Sequence, residues 1–422
     1  MEWYNKLKAH STILSNMASL GLLQIANYLI PLAVIPFIVR GLGVDMIGKV
    51  SYAQNIIQYF TIFITFGFEY SATKEISIHK DDKEKTKEIF WSVIIIKILL
   101  LITSFFIFLC LSLFWGKIQN DLPLYLTIFA INIGFTLFPT WFFQGIEEMK
   151  SMAIINFLIK LFGTGLSVFF INSPEDYLVY AGMPSIAYAI FGLGAFIYVI
   201  KKHNLSYSNV SLKSIKEQCI ISFPIFLNTF FTTFYTTANI TILGFFVGDH
   251  EVGIYSGAHK IIMSILMVTS MPINIAIFPS ISRKMAESKK EGLHYFITIG
   301  KYAILASLLV SIFTYIFSPI LVSIFLGEAF ESSIPVLKLF SCLPFLVITA
   351  SLCTVQGLYG LGFQKYAPFM GLTVGIICIL LNLILIPRLE IYGAATAWIV
   401  AQALEIIISG TIIFYKCRSY ES

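Results

Sequence analysis

Long apolar runs separated by short polar clusters account for nearly the whole chain. Cutting at the polar and turn-forming clusters leaves apolar segments near 15–40, 47–70, 89–115, 122–146, 151–173, 177–200, 217–247, 251–280, 294–325, 333–359, 364–387 and 391–415. A helix needs about 20 such residues to cross the hydrocarbon of a bilayer. Helix is the state open to these segments, because in hydrocarbon every backbone N–H and C=O must be satisfied within the segment. The runs are also too long and too continuously apolar for the alternating strands of a barrel. The pattern predicts an all-α polytopic membrane protein with about twelve spans.

Composition sharpens this into an exclusion. The 422 residues are 57% hydrophobic and 12% charged, against about 45–50% and about 25% in soluble domains. The longest stretches that read as aqueous, 71–88 and 201–216, are too short to fold a nucleotide-binding or sugar-processing domain, which excludes a primary pump on this chain. The six cysteines show no CxxC spacing and lie mostly within apolar runs, so neither a disulfide framework nor a metal site is expected, and no cofactor. Residues 1–14, MEWYNKLKAHSTIL, are too polar for the core of a secretory signal. Trp3, Tyr4 and Leu7 with Lys6 and Lys8 fit a short interfacial helix instead.

The net charge of +5 matters by location and does not imply nucleic acid. With both termini cytoplasmic, the predicted inner loops hold 19 of the 28 Lys and Arg residues, and the outer side holds Arg40, Lys49, Lys117 and Arg388. Five more, Lys97, Lys160, Lys260, Lys301 and Lys338, fall inside spans. This asymmetry obeys the positive-inside rule and agrees with an even number of spans.

Two echoes point to duplication. At a shift of 205, residues 43–57 (GVDMIGKVSYAQNII) face 248–262 (GDHEVGIYSGAHKII) with six identities, among them Gly43/Gly248 and Gly48/Gly253. At a shift of 212, Gln144-Gly145-Ile146 faces Gln356-Gly357-Leu358. Both map helix n onto helix n+6, which divides the chain into the interfacial segment 1–14, an N-lobe 15–205 and a C-lobe 206–422, each lobe with six helices. Halves with an even number of spans share one orientation and are related by an axis along the membrane normal. The repeat also disposes of a decoy: Gly43 to Val50 nearly spells GxxxxGK[ST], but Val50 stands where a hydroxyl is required and no strand precedes it. The glycines read as turn residues closing a helical hairpin.

Ionisable groups at membrane depth are costly unless they face protein or water, so they are the first functional candidates. Lys260 lies roughly 14 Å in from the outer end of its span at 1.5 Å per residue. It sits beside His259, and its repeat partner is Asn55, beside Gln54. Lys160 and Arg40 are further cationic candidates, whereas Lys97 and Lys301, near the inner surface, are expected to snorkel. Two carboxylates fall within spans. Glu69 is the candidate for a coupling proton, and Glu405 reads as structural. Gln24, Asn27, Asn228, Tyr235 and Asn239 add polar groups on the first and seventh helices, where they could meet sugar or bridge helices. Pro31, Pro36, Pro224, Pro272 and Pro279 supply kinks on helices 1, 7 and 8.

The basic start, the first helix ending in VIPFIVRGLGVDMIGKVSYAQNI, the ATKEIS run Ala72–Ser77, the QGIEEMK that ends the fourth helix and the VGDHEVGIYSGAHKI of the second half carry a resemblance. Over essentially the whole chain they resemble the Wzx-like polysaccharide repeat-unit (O-antigen) flippases of bacteria, a branch of the MOP superfamily that includes the MATE drug exporters and the lipid II flippase. The resemblance implies two six-helix bundles in a V and alternating access in the bacterial inner membrane. It also implies an undecaprenyl-pyrophosphate-linked oligosaccharide as cargo, with the polysaccharide polymerase and chain-length regulator as partners; coupling to H+, coupling to Na+ and consumption of the product outside stay open as driving forces. The family is usually richer in cavity arginine, whereas lysine predominates here.

Three rivals fit less well. A MATE-type exporter of organic cations needs acidic residues, and the spans hold five lysines against two carboxylates. A membrane polysaccharide polymerase, an enzyme, would be expected to show a long external loop, and every predicted outer loop is short. A major-facilitator sugar carrier would show a Gly-Asp-Arg pattern that KEISIHKDDKEKTKEI lacks.

Overall fold

A computed structural model describes residues 2–207, 210–359, 363 and 366–417. The ordered elements among them are all helices. The first helical run, Glu2–Thr65, is broken at Gly43, whose φ of 74° and ψ of 176° suit glycine and few other residues. It therefore divides into α1 (2–42) and α2 (44–65), and α2 resumes after a second break as Phe68–Ile78. Residues 2–14 continue directly into α1.

The chain goes on as α3 (Lys83–Phe114), α4 (Leu122–Gly145), α5 (Met149–Phe169), α6 (Pro174–His203), α7 (Leu212–Phe246), α8 (Asp249–Glu287), α9 (Lys289–Phe325) and α10 (Ser333–Leu358). A last run, Ala367–Cys417, breaks at Glu390 (φ 49°), three residues after Pro387, into α11 (367–389) and α12 (391–417). Eight helical stretches among the described residues are long and apolar enough to cross a membrane, and the last of them, Ala367–Lys416, contains the Glu390 break. The chain is a multi-pass membrane protein of about twelve helices, as the hydrophobic pattern predicts.

Local chemistry explains the ends. The Asp82 carboxylate accepts from the Lys85 N–H at 3.1 Å and starts α3, and Ser288 caps α9 through the Glu291 N–H. The Asp176 carboxylate accepts from the N–H groups of Asn172 and Ser173, both at 2.9 Å, and fixes the entry to α6. Asn204 (φ 53°) terminates that helix in the left-handed conformation. On the outward faces Phe105, Phe106, Leu309, Phe313 and Ile316 are exposed, an apolar surface suited to lipid rather than water.

The chain forms two compact units, one of Met1–Leu42 and Ala53–Phe230 and the other of Gly43–Tyr52 and Phe231–Ser422. The first has an aromatic core in which Phe68, Phe90, Trp141, Phe142 and Phe143 meet Ile89, Val93 and Ile94. Where α4 crosses α6, a Cβ on Gly134 would overlap the backbone of Tyr188 and one on Gly192 would lie 2.8 Å from the Gly134 carbonyl oxygen. Small residues allow this approach, as in membrane helix pairs generally. The second unit packs Leu358, Met370, Val374, Cys378, Ala401 and Ile413 from α10, α11 and α12.

Candidate functional site

Two helix breaks meet in the first unit. In α2, Phe66 (φ 48°) and Gly67 (φ 76°) are both left-handed, and the helix restarts at Phe68 with Glu69 in its first turn. A carboxylate there is favoured by the unpaired N–H groups of a helix start. In α4, Phe138 turns extended before Pro139, and the helix restarts at Thr140. The Thr140 hydroxyl lies 2.7 and 2.6 Å from the two oxygens of Glu69 and donates to that carboxylate. Thr73, one turn further along α2, lies 2.7 Å from the Glu69 carbonyl oxygen and 3.1 Å from that of Trp141.

The other side of the α4 break carries a cation. Proline has no N–H, so Pro139 cannot donate to the carbonyl four residues earlier, that of Phe135. Lys97 fills the gap: its Nζ donates to the Phe135 oxygen at 2.7 Å, and the residue is 1% exposed. The expected snorkelling of Lys97 is thereby corrected, because a buried acceptor freed by proline holds the ammonium inside the bundle. The Phe135 ring stacks on Tyr188 with centroids 4.3 Å apart, and the Nζ of Lys160 lies 6.0 Å from the Tyr188 ring. Predicted residues Glu69 and Lys160 thus stand at the two ends of one series of contacts. It runs through Thr140 and across Pro139 to Phe135, which holds Lys97, and on to Tyr188. From the sequence Lys97 was named only as a snorkelling side chain, and Thr140 and Tyr188 were missed. The proline in α4 was visible, but nothing in the sequence says which side chain answers it.

In the second unit His259 is held among aromatic rings, 6.1 Å from Tyr255 and 5.3 Å from Trp398, while Phe340 meets both of those rings edge-on. Lys260, next along α8, is half-buried. Asn239 is 4% exposed, and its side-chain oxygen accepts from the Asn382 amide at 2.6 Å, which bridges α7 to α11. Glu405 accepts from Thr354 at 2.9 Å, within the π-helical stretch Leu352–Tyr359 of α10.

Of the other predicted residues, Gln54 and Asn55 are half-buried on α2, and Arg40 and Asn228 are exposed. Lys301 is exposed, in keeping with a snorkelling side chain. The side chains of Gln24, Asn27, Tyr235, Pro272 and Pro279 lie outside the described residues, as do Lys365 and Arg418. Among the described residues no group of three or more His, Cys, Asp or Glu side chains could hold a metal ion.

The family model described as polysaccharide biosynthesis protein matches residues 13–285. The chain belongs to that family. It is 28% identical over 403 residues to a protein of Escherichia coli (strain K12) that carries the name O-antigen transporter, with 95% of each chain covered. A Shigella dysenteriae protein carrying the same name is 29% identical over 346 residues, covering 81% of this chain and 84% of its own. Among solved structures, an inward-facing multidrug resistance MATE family transporter of the MOP superfamily superposes with a TM-score of 0.73 at 14% identity, covering 95% of this chain and 98% of its own. The lipid II flippase MurJ in an inward closed conformation gives 0.67 at 16%, covering 97% and 88%. At these identities the two structures establish a shared MOP-type fold. The names attached to all four are those of transporters and flippases, not of enzymes.

Proposed function

We propose that this polysaccharide biosynthesis family member is a flippase that moves undecaprenyl-pyrophosphate-linked oligosaccharide repeat units across the bacterial inner membrane by alternating access. The observation that carries the proposal is the end-to-end match, 95% of both chains, to a protein named for O-antigen transport. The intramembrane lysines support it, since a pyrophosphate needs compensating positive charge where water is scarce. In this reading Lys260, with Lys160 and Arg40, neutralises the pyrophosphate. Gln54, Asn55, His259 and Asn228 offer hydrogen bonds to sugar hydroxyls. Glu69 takes up the coupling proton: its carboxylate is held by a hydroxyl at a helix restart, so a change in its charge bears directly on how two half-helices sit together. The termini are cytoplasmic, and the polymerase and chain-length regulator act next on the exported unit.

The test is the leaflet in which the lipid-linked unit accumulates when the gene is deleted, read with a membrane-impermeant glycan-modifying probe on spheroplasts. Accumulation in the protected inner leaflet is expected. Single units exposed outside but never joined into chains would replace the flippase with a polymerase. Lys260→Ala should abolish surface polysaccharide while the protein persists in the membrane.

A further inference from the structure

α2 and α4 run side by side in one register. Thr61 donates to the Asn132 side-chain oxygen at 2.8 Å, Thr140 to the Glu69 carboxylate, and Thr73 to the Gln144 side-chain oxygen at 3.4 Å, and in each pair the residues are 71 apart. The breaks obey the same register. Gly67, the left-handed residue of α2, stands level with Phe138, the extended residue of α4, again 71 further on. Two parallel neighbours are thus interrupted at one level, where the first segments end at Thr65 and Leu137 and the second begin at Phe68 and Thr140.

Broken-helix transporters hold coupling cations at interruptions of this kind, because the closing carbonyls of a half-helix carry partial negative charge and lack N–H partners. The oxygens on offer here suit an alkali ion: the Phe135 carbonyl freed by Pro139, the Thr140 hydroxyl and the Glu69 carboxylate. The chain fills the place itself. Lys97, from α3, sets its ammonium 2.7 Å from the Phe135 oxygen and is 1% exposed. An ammonium is a compact point charge, and on its side-chain stem it cannot diffuse away as a dissolved ion does.

We propose that Lys97 is a resident cation that sets the ion selectivity of this double break: its ammonium stands where Na+ would bind, so the site is closed to Na+ and exchanges only the proton of Glu69. The inference rests on the flippase reading for Glu69 as the proton carrier, but not for whether Na+ binds.

The test is Na+ binding to the purified full chain, comparing the parent, Lys97→Ala and Lys97→Ala/Pro139→Ala, each with and without Glu69→Gln. Thermal midpoints are measured in NaCl and in choline chloride at equal ionic strength, and retained radioactive sodium is counted. The readout is the part of each Na+ response that Glu69→Gln removes. None is expected in the parent. Lys97→Ala should gain at least about 3 °C in NaCl and retain at least about fivefold more sodium than the parent, since an ion that binds the folded state stabilises it. Adding Pro139→Ala should cancel the gain, because it returns an N–H to the Phe135 carbonyl.

A parent whose Na+ response is removed by Glu69→Gln overturns the proposal, because the ion then enters with Lys97 in place. So does a folded Lys97→Ala that is indifferent to Na+. If Lys97→Ala folds in neither salt, Lys97→Ser, whose hydroxyl can join the oxygen set, carries the same expectation, and its failure to bind sodium is equally decisive. Failure of the flippase reading shows separately, as lipid-linked units exposed outside in the deletion strain, and leaves the sodium result standing.

Discussion

Both units set one intramembrane carboxylate beside a threonine hydroxyl from an irregular stretch of helix, but they make the irregularity by different means. In the first, α4 is cut by Pro139, and the freed Phe135 carbonyl is answered by the Lys97 ammonium while Thr140 holds both oxygens of Glu69. In the second, the stretch Leu352–Tyr359, which contains no proline, widens into a π-helix, and its Thr354 holds one oxygen of Glu405. A π-helical stretch keeps its backbone paired, whereas a proline break leaves an acceptor that another group must satisfy. The first unit therefore brings a cation and a carboxylate to the two edges of one break, and the second builds only a tether. This contrast adds a structural argument to the proposal that Glu69 is functional and Glu405 structural.

The sharpest way to break the comparison is to neutralise each carboxylate. Glu69→Gln should lower surface polysaccharide by about tenfold or more, as for an intramembrane ionisable group that does work, while Glu405→Gln should stay within about twofold. Quantitative glycan blotting, normalised to membrane-embedded protein, reads both, and equal losses would remove the distinction.

Next in size is Lys97→Met, which leaves the Phe135 carbonyl without its donor and should destabilise the purified protein by about 1–3 kcal/mol. Adding Pro139→Ala returns an N–H to the position that lacks one and should recover at least half of that loss in a thermal unfolding assay. The smallest effect expected is Thr140→Val, at about 1–2 kcal/mol, with Thr140→Ser close to the parent and Thr354→Val smaller than Thr140→Val. The same assay ranks all three.

The helical fold was legible because hydropathy reports what a bilayer requires, and a run such as Lys83–Phe114 has no alternative to helix, although polar ends such as Lys83–Glu88 lie outside the apolar segments. The site was half legible. Glu69 and Lys160 announced themselves as charges at depth. Lys97 did not, because its distance from the inner surface fits snorkelling and its reason for staying inside lies on another helix, at Pro139. Asn239 read as either a sugar contact or a helix bridge, and the partner that makes it a bridge, Asn382, is 143 residues away. The repeat glycines were found but assigned one role where they have two. Gly43 makes the turn through its positive φ, whereas Gly48 lies within the helix and makes room. Identity along the chain locates equivalent residues and is silent on whether they touch.

The seventh helix carries a mechanical consequence. Its inner part is fastened to the segment bearing Glu69, by Ser222 against Ser71 at 2.7 Å and by the Phe226 ring stacked 4.8 Å from Phe66, at the very peptide where α2 breaks. Its outer part, from Phe231 to Phe246, belongs to the other compact unit, and the helix runs unbroken through the change of allegiance. At its inner end that rod sets a joint: the Phe226 ring lies against Phe66 and Ser222 against Ser71, so the angle at which α2 restarts, and with it the placing of Glu69, is fixed from a third helix of the same unit.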